Sequence, residues 1–425
     1  DLEAVPEIGL VFVNNFEGNG NLRDYFAKFD LVSKVGNVKG EASLNLPNEK
    51  YMTKSEFANF NLHTLLPGTY ATNLNGKIDL EAQNFDISKL NGLVEIQLKN
   101  STFENKNMDS VNFKAKVDNG KLDIKDFTYN TSNSLAKVTG YLDISNLEKA
   151  IYDLDINTNN LDLTFLNTSL PSQLTSNVKV NGEGLDIEKI KLSSKIKIQD
   201  LIINNSLIKN FDFNLLVDNS VRKNIKIESD DVSIIVDGDF SIFEMIDVLN
   251  NEFEYLYHSI EIVSNHFNHH DSNEVVKLLD KYPKMDAKIE FDINSIKKFR
   301  EFIPLDLNFN TNFNLSLKSI DSVFQVTVDE INMKNFKIRE NDFQVSSDQI
   351  KILLDYKRNL SLENPLEKLN VGLNTELLKY NDLKINKLDY LFDINNNVIT
   401  SKIDSRIMDS LQLSNVLTIK TPNPN

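Results

Sequence analysis

The chain contains no cysteine and no tryptophan in its 425 residues. Zero cysteine excludes disulfides, thiolate metal sites and a cysteine nucleophile. Long apolar runs are missing too: none reaches the roughly 18 residues that a membrane-spanning helix needs. No signal peptide is visible. Basic charge is in short supply, with 46 Lys+Arg against 62 Asp+Glu and a formal charge of -16. That excludes nucleic acid as a partner, because displacing its counterions takes clustered cations. It also disfavours an anionic membrane surface for the bulk of the chain. There is no P-loop, no Gly-x-Ser-x-Gly and no His-Glu-x-x-His, so no catalytic residue, no cofactor and no enzyme activity is expected.

What is present is alternation. Hydrophobic residues make up 40%, led by 26 Phe and 12 Tyr among the aromatics. Asn, Asp, Lys and Ser fill the positions between, which is the composition of a sheet with one wet face. Ile78, Leu80 and Ala82 alternate with Lys77, Asp79 and Glu81. Val94, Ile96 and Leu98 alternate with Glu95, Gln97 and Lys99. Phe113, Ala115 and Val117 alternate with Lys114, Lys116 and Asp118, and Asn119-Gly120 turns the chain into Leu122 and Ile124. Further apolar alternates are Val178, Val180, Ile196, Ile198, Ile234, Val236, Phe313, Leu315, Phe324 and Val326. Near the start, Ile8 to Val13 precedes a Gly/Asn-rich turn at Glu17 to Asn21, and Leu22 to Phe29 fits a helix or a strand equally.

The pattern repeats. Phe113 to Asn119 returns as Phe213 to Asn219, Gly140 to Ile144 as Gly238 to Ile242, and Leu66-Pro67 as Leu170-Pro171. A looser copy of the last stands at Ile303-Pro304. A period near 100 residues exceeds single-motif solenoid repeats, so each unit is a group of strands.

Residues 241–303 break the alternation. Ile242, Met245/Ile246, Leu249, Phe253, Leu256/Tyr257, Ile260 and Val263 predict an amphipathic helix of about 25 residues packed on the sheet. Its polar face is expected to carry Glu244, Asp247, Glu252, Glu254 and Glu261. Shorter helices are expected over Asn273–Lys281 and Ser295–Phe302, with a strand through Ile289, Phe291 and Ile293 between them. His258, His266, His269 and His270 with Asp271 have metal-like spacing, but they read as a solvated helix end. Asp230-Asp231 and Asp237-Gly238-Asp239 do not match a Ca²⁺ loop and read as a hairpin turn. No metal site is expected.

A one-sided sheet must cover its apolar face. Sandwiches, a closed barrel and a groove that holds apolar ligand all meet that need, and alternation alone leaves the three open. The phrases Leu66-Pro67, Asn75-Gly-Lys-Ile-Asp-Leu80 and Asn119-Gly-Lys-Leu-Asp-Ile-Lys-Asp-Phe127, with Leu44 to Thr53, resemble the TamB/AsmA-like proteins. They are most similar to the Bacteroidota-type TamB proteins. The resemblance covers most of residues 40–350. It implies a mainly β fold: an elongated, curled antiparallel sheet (β-taco, a repeating β-groove), here with a small helical insertion around 241–303. It implies a segment that carries phospholipid between inner and outer membrane and supports outer-membrane assembly. The partners would be phospholipid acyl chains and an outer-membrane barrel of the TamA/BamA type. The parent would be anchored in the inner membrane of a Gram-negative bacterium, contacting membrane through regions outside this periplasmic segment. The abrupt ends at Asp1 and Thr421 to Asn425 lead us to expect such a segment.

The units expected are an N-terminal β segment (1–65), β-groove units at 66–169 and 170–240, the insertion at 241–303, and a third unit with C-terminal strands at 304–425. The lining residues would be the alternates from Ile78 to Val326 named above. A stalk of tandem β-sandwiches is the alternative from another class, with two apolar sheets facing each other in each domain.

Overall fold

In a computed structural model the described residues are 10–65, 70–104, 106–166, 172–203, 206–268, 281–298, 306–340, 343–361, 366–395, 398–407 and 411–420. Two compact units divide at Asp212/Phe213. The first holds β1 (Phe12–Asn21), β2 (Asp24–Ser33), β3 (Gly36–Asn45), β4 (Lys50–Phe60), the single turn α1 (Leu62–Leu65), β5 (Thr72–Gln83), β6 (Asn91–Phe103), β7 (Lys106–Asp118), β8 (Lys121–Asn130), β9 (Leu135–Asp143), β10 (Ile151–Asp162), β11 (Ser172–Glu183) and β12 (Lys191–Ile203). The division falls within β13 (Ser206–Asp218). The second unit continues with β14 (Lys223–Glu228), β15 (Val232–Asp239), the helix α2 (Ile242–Asn268), β16 (Tyr282–Ile293), β17 (Asp306–Asp321), β18 (Val323–Glu340), β19 (Phe343–Asn359), β20 (Leu366–Tyr380), β21 (Leu383–Asn395), β22 (Val398–Ile407) and β23 (Leu411–Lys420).

The fold is therefore mainly β, a curled antiparallel sheet with a small helical insertion, as the alternation and the resemblance led us to expect. Within each unit every described pairing joins a strand to its neighbour in the chain, always antiparallel. Short connections between half-apolar strands favour this meander, since each hairpin closes at low entropic cost.

The 100-residue repeat is a group of six strands. Phe113 lies on β7 and Phe213 on β13, while Gly140 lies on β9 and Gly238 on β15. The Leu-Pro marks at 66–67, 170–171 and 303–304 lie outside the described residues. They fall in the chain after β4, β10 and β16, again six strands apart.

Turns at one end of the hairpins share a device. Asp86, Asp143, Asp186 and Asp218 each accept the backbone N–H two residues on, from Ser88, Ser145, Glu188 and Ser220, at 2.9–3.1 Å. The Ser88 and Ser145 hydroxyls also donate to these carboxylates at 2.7 and 2.6 Å, and the hydroxyl bonds first, with the backbone ones second, hold the Asp86 and Asp143 carboxyls below their ordinary range. Between β15 and β16 the same position is occupied by α2, whose first turn is capped by the Ser241 hydroxyl.

Asparagine is used where strands bulge. Asn59, Asn100 and Asn160 sit inside β4, β6 and β10 with left-handed φ, which asparagine tolerates better than most residues. Asn59 and Asn160 mark shifts in register, and such bulges increase local twist. One expectation fails at the N-terminus: Gly18 and Gly20 lie within β1, and the turn is at Asn21–Asp24. Leu22 to Phe29 resolves to the start of β2. The physical reason is pairing: Gly18 and Gly20 stand opposite Ala27 and Tyr25, and the Tyr25 hydroxyl takes the space a side chain would need at Gly18 while the Asp24 carbonyl oxygen takes it at Gly20.

Glycine on the apolar face permits close approach of neighbouring strands. A Cβ at Gly140, where φ is +130°, would lie 2.1 Å from the Asp153 carbonyl oxygen. At Gly372 the nearest atom would be 3.5 Å away. Gly140→Ala is expected to cost roughly 1–3 kcal/mol of stability, read as a lower midpoint in urea titration, while Gly372→Ala leaves the midpoint unchanged.

Candidate functional site

Pairing in the first unit lines the apolar side chains up in rows across the strands. One row runs Ile78, Ile96, Phe113, Phe127, Val138, Ile156, Val178, Ile196, from β5 to β12 without a polar residue. The next runs Leu80, Val94, Ala115, Ile124, Gly140, Leu154, Val180, Ser194. Val117 pairs with Leu122, and Leu98 begins a row that ends in Ile198. All thirteen lining candidates from Ile78 to Ile198 thus share one face. Alternation pointed to them individually. Phe127, Val138 and Ile156, which complete the first row, come from register.

Burial on this face is unusual. All eight members of the first row remain partly exposed. Much of what is buried in this unit is small, namely Ala27, Ala82, Ala115 and Ala150, beside Val117, Tyr152 and Ile198. Bulky side chains stand at the surface of the face and small ones are overlaid, the reverse of a filled core.

The opposite face neutralises itself. Lys77 meets Glu56 at 2.7 Å, Lys54 meets Asp79 at 3.6 Å, and Lys114 pairs with Glu95. A depression of 610 Å³ lies on this side, lined by Lys28, Lys39, Lys54, Glu56, Lys77 and Asp79. Exposed pairs of this kind contribute about 0–1 kcal/mol each, so they set register and solubility more than stability.

In the second unit part of the apolar face is covered, although Ile234, Val236, Phe313, Leu315 and Val326 stay partly exposed. Ile234, Val236, Leu315 and Val326 pack against a buried cluster of Phe240, Val248, Tyr282, Met285, Ala287, Leu317 and Phe324. Phe324 is itself fully buried, its ring 5.5 Å from that of Tyr282. Phe313 stacks on Phe291 at 4.7 Å. The covering element includes α2, through Ile242, Met245 and Val248.

Here the helix differs from expectation. Its exposed side carries Phe243, Ile246, Leu249 and Phe253, the last 72% exposed. Glu252, assigned to the polar face, is buried at 4%. Its carboxylate accepts the Tyr282 hydroxyl at 2.7 Å, the Tyr356 hydroxyl at 2.6 Å and the Arg358 guanidinium at 2.7 Å. Arg358 is the largest fully buried side chain, and its guanidinium lies 3.7 Å over the Tyr255 ring. An ion pair with three donors outweighs a few apolar contacts in choosing which side of the helix turns inward, because a buried Arg358 without a counter-charge is prohibitive.

Burial and the neighbouring Glu252 carboxylate push both tyrosine hydroxyls far above their ordinary pKa, so they stay protonated donors. Sequence signal for Arg358 existed in parity, since it follows Leu354 and Tyr356 by even steps onto the apolar face. Glu252 falls one helical turn after Val248.

His258 and His266 lie on α2, while His269, His270 and Asp271 lie outside the described residues, as do residues 273–280 and 299–302 of the two shorter helices expected. Among the described residues no group of three metal-ligating side chains comes together, and no helix is long and apolar enough to cross a membrane. No family model matches the chain, and neither a curated protein nor a solved structure does.

Arg358→Met should cost the second unit about 3–5 kcal/mol by leaving the Glu252 carboxylate without its cation. Adding Glu252→Leu should restore much of that in denaturant titration. Because the folded tyrosine pKa values lie above the unfolded value of 10.0, the native state holds more protons in alkali and stability falls as pH rises. It should be flat up to about pH 10 and decline above it. Tyr282→Phe with Tyr356→Phe should flatten that decline in melts recorded from pH 8 to 11.

Proposed function

We propose that the chain is a segment of a periplasmic protein that carries phospholipid between two membranes, with acyl chains held against its apolar face. The observation that supports this reading most directly is the row from Ile78 to Ile196. It crosses eight strands, is wholly apolar, and stays partly exposed. Left in water, apolar surface costs about 25 cal/mol per Å², so a face of this extent is maintained for an occupant. Flexible hydrocarbon suits such a face, because the row offers width and continuity but few fixed polar groups to orient a rigid ligand.

Transport would be passive. Acyl chains lie across the rows while the headgroup stays in water, and equivalent side chains on successive strands let the lipid move without a deep energy well. An outer-membrane barrel partner and inner-membrane anchoring of the parent belong to this reading through the resemblance to TamB-type proteins. The sandwich alternative is less well supported. Sandwiches bring together strands distant in the chain, whereas each described pairing here joins consecutive strands.

The test is lipid content. Purified chain is expected to carry phospholipid visible by native mass spectrometry and extraction. Ile96→Asp and Val178→Asp should each reduce that content several-fold with the far-ultraviolet spectrum unchanged, while Lys99→Ser has no effect. A monomeric, lipid-free preparation that takes up none from vesicles would refute the reading.

A further inference from the structure

The Glu252 cradle is chemically odd for a structural ion pair. It offers one carboxylate to three donors, and it leaves two of the guanidinium nitrogens of Arg358, Nε and Nη2, buried without a hydrogen-bond partner. Arginine has five N–H donors in a planar fork. A carboxylate with two oxygens, already shared with two tyrosines, cannot satisfy them. A phosphate brings more oxygens and a second charge, and matches the same fork. The cradle also lies in the apolar face of the second unit, beside Met285, Leu317 and Phe324.

We propose that Glu252 is a stand-in for a phosphate group. When α2 lifts from the sheet, Arg358, Tyr282 and Tyr356 form an anion site that takes the phosphate of a lipid headgroup, with the acyl chains on the apolar face that Val248 and Met245 vacate. This rests on the phospholipid-carrying reading and deepens it, because it assigns the headgroup phosphate a site and gives this unit a stopping point. The helix is then a removable occupant, seated by one carboxylate that mimics the ligand's charge.

Placement of the helix fits. It starts at Ser241, where the other hairpins of that end have a tight turn, so it can leave without unpairing β15 from β16. Its outward side already bears Phe243, Ile246 and Phe253, so its departure does not depend on that side losing a partner among the described residues.

The experiment compares wild type, Glu252→Gln and Glu252→Gln/Arg358→Met by calorimetric titration with dioctanoyl phosphatidic acid, dioctanoylglycerol and inorganic phosphate. Glu252→Gln should bind phosphatidic acid at least about tenfold more tightly than wild type. Dioctanoylglycerol should gain less, because the freed face serves its chains but it brings no phosphate to Arg358, and the added Arg358→Met should cut the phosphatidic acid gain back to that of dioctanoylglycerol. The proposal is overturned by an equal gain for dioctanoylglycerol, by an excess for phosphatidic acid that survives Arg358→Met, or by no gain when hydrogen exchange shows α2 released. An equal gain for inorganic phosphate overturns the lipid assignment. If Glu252→Gln leaves α2 protected, Val248→Asp added to it forces the helix off and the same titrations decide. Failure of the underlying lipid reading looks different: no variant binds dioctanoylglycerol.

Discussion

Every feature of this protein follows from the two-residue period of its strands meeting strictly sequential pairing. Alternation gives each strand one apolar and one charged side. Antiparallel pairing with the next strand carries those sides forward in register, because a slip of one residue would turn a whole apolar set into water. Ion pairs such as Lys77 with Glu56 favour the same register from the other side. A meander that obeys both rules has no internal means of hiding its apolar side, so the question of what covers it becomes the question of what the protein does.

The two units answer differently. In the first, the bulky residues of the row from Ile78 to Ile196 stay partly exposed while Ala82 and Ala115 on the same face are buried. In the second, α2 and the aromatic cluster around Tyr282, Phe324 and Tyr356 cover part of the corresponding side. The seat of the helix is polar at its centre, and that has a physical consequence. Apolar packing is non-directional and would tolerate several orientations of an amphipathic helix. A buried carboxylate with three donors accepts one, since the alternatives strand the Arg358 charge. Even so, the guanidinium leaves its Nε and Nη2 unmatched.

Much of the architecture was legible in the sequence, for a reason particular to this chain. Period-two patterning is local, and a meander makes almost all contacts between chain neighbours, so local pattern and tertiary structure coincide. Ile78, Ile96, Phe113 and Val178 were placed on the right side by alternation alone, and the repeat from Phe113 to Phe213 proved to be six strands. Three things escaped. Gly18 and Gly20 suggested a turn because glycine is permissive, but the Tyr25 hydroxyl and the Asp24 carbonyl oxygen fill the space instead. Rows such as Phe127 to Val138 depend on bulges at β8, which alternation does not reveal. The orientation of α2 was misjudged because Ile246, Leu249 and Phe253 continue the three- and four-residue spacing from Ile242 and so were placed on the inward stripe. A single long-range pair, Glu252 with Arg358, overrode them across more than a hundred residues of sequence.

The position of α2 has a wider meaning. It occupies the slot where Asp86, Asp143 and Asp186 make tight turns elsewhere, at the end of a hairpin whose strands keep the common register. What the sheet holds is thus decided by a connection rather than by the strands. Lengthening or shortening one loop exchanges an open surface for an occupied one with no residue in any strand altered. A repeat of this kind is free to change what lies against its apolar side by editing punctuation.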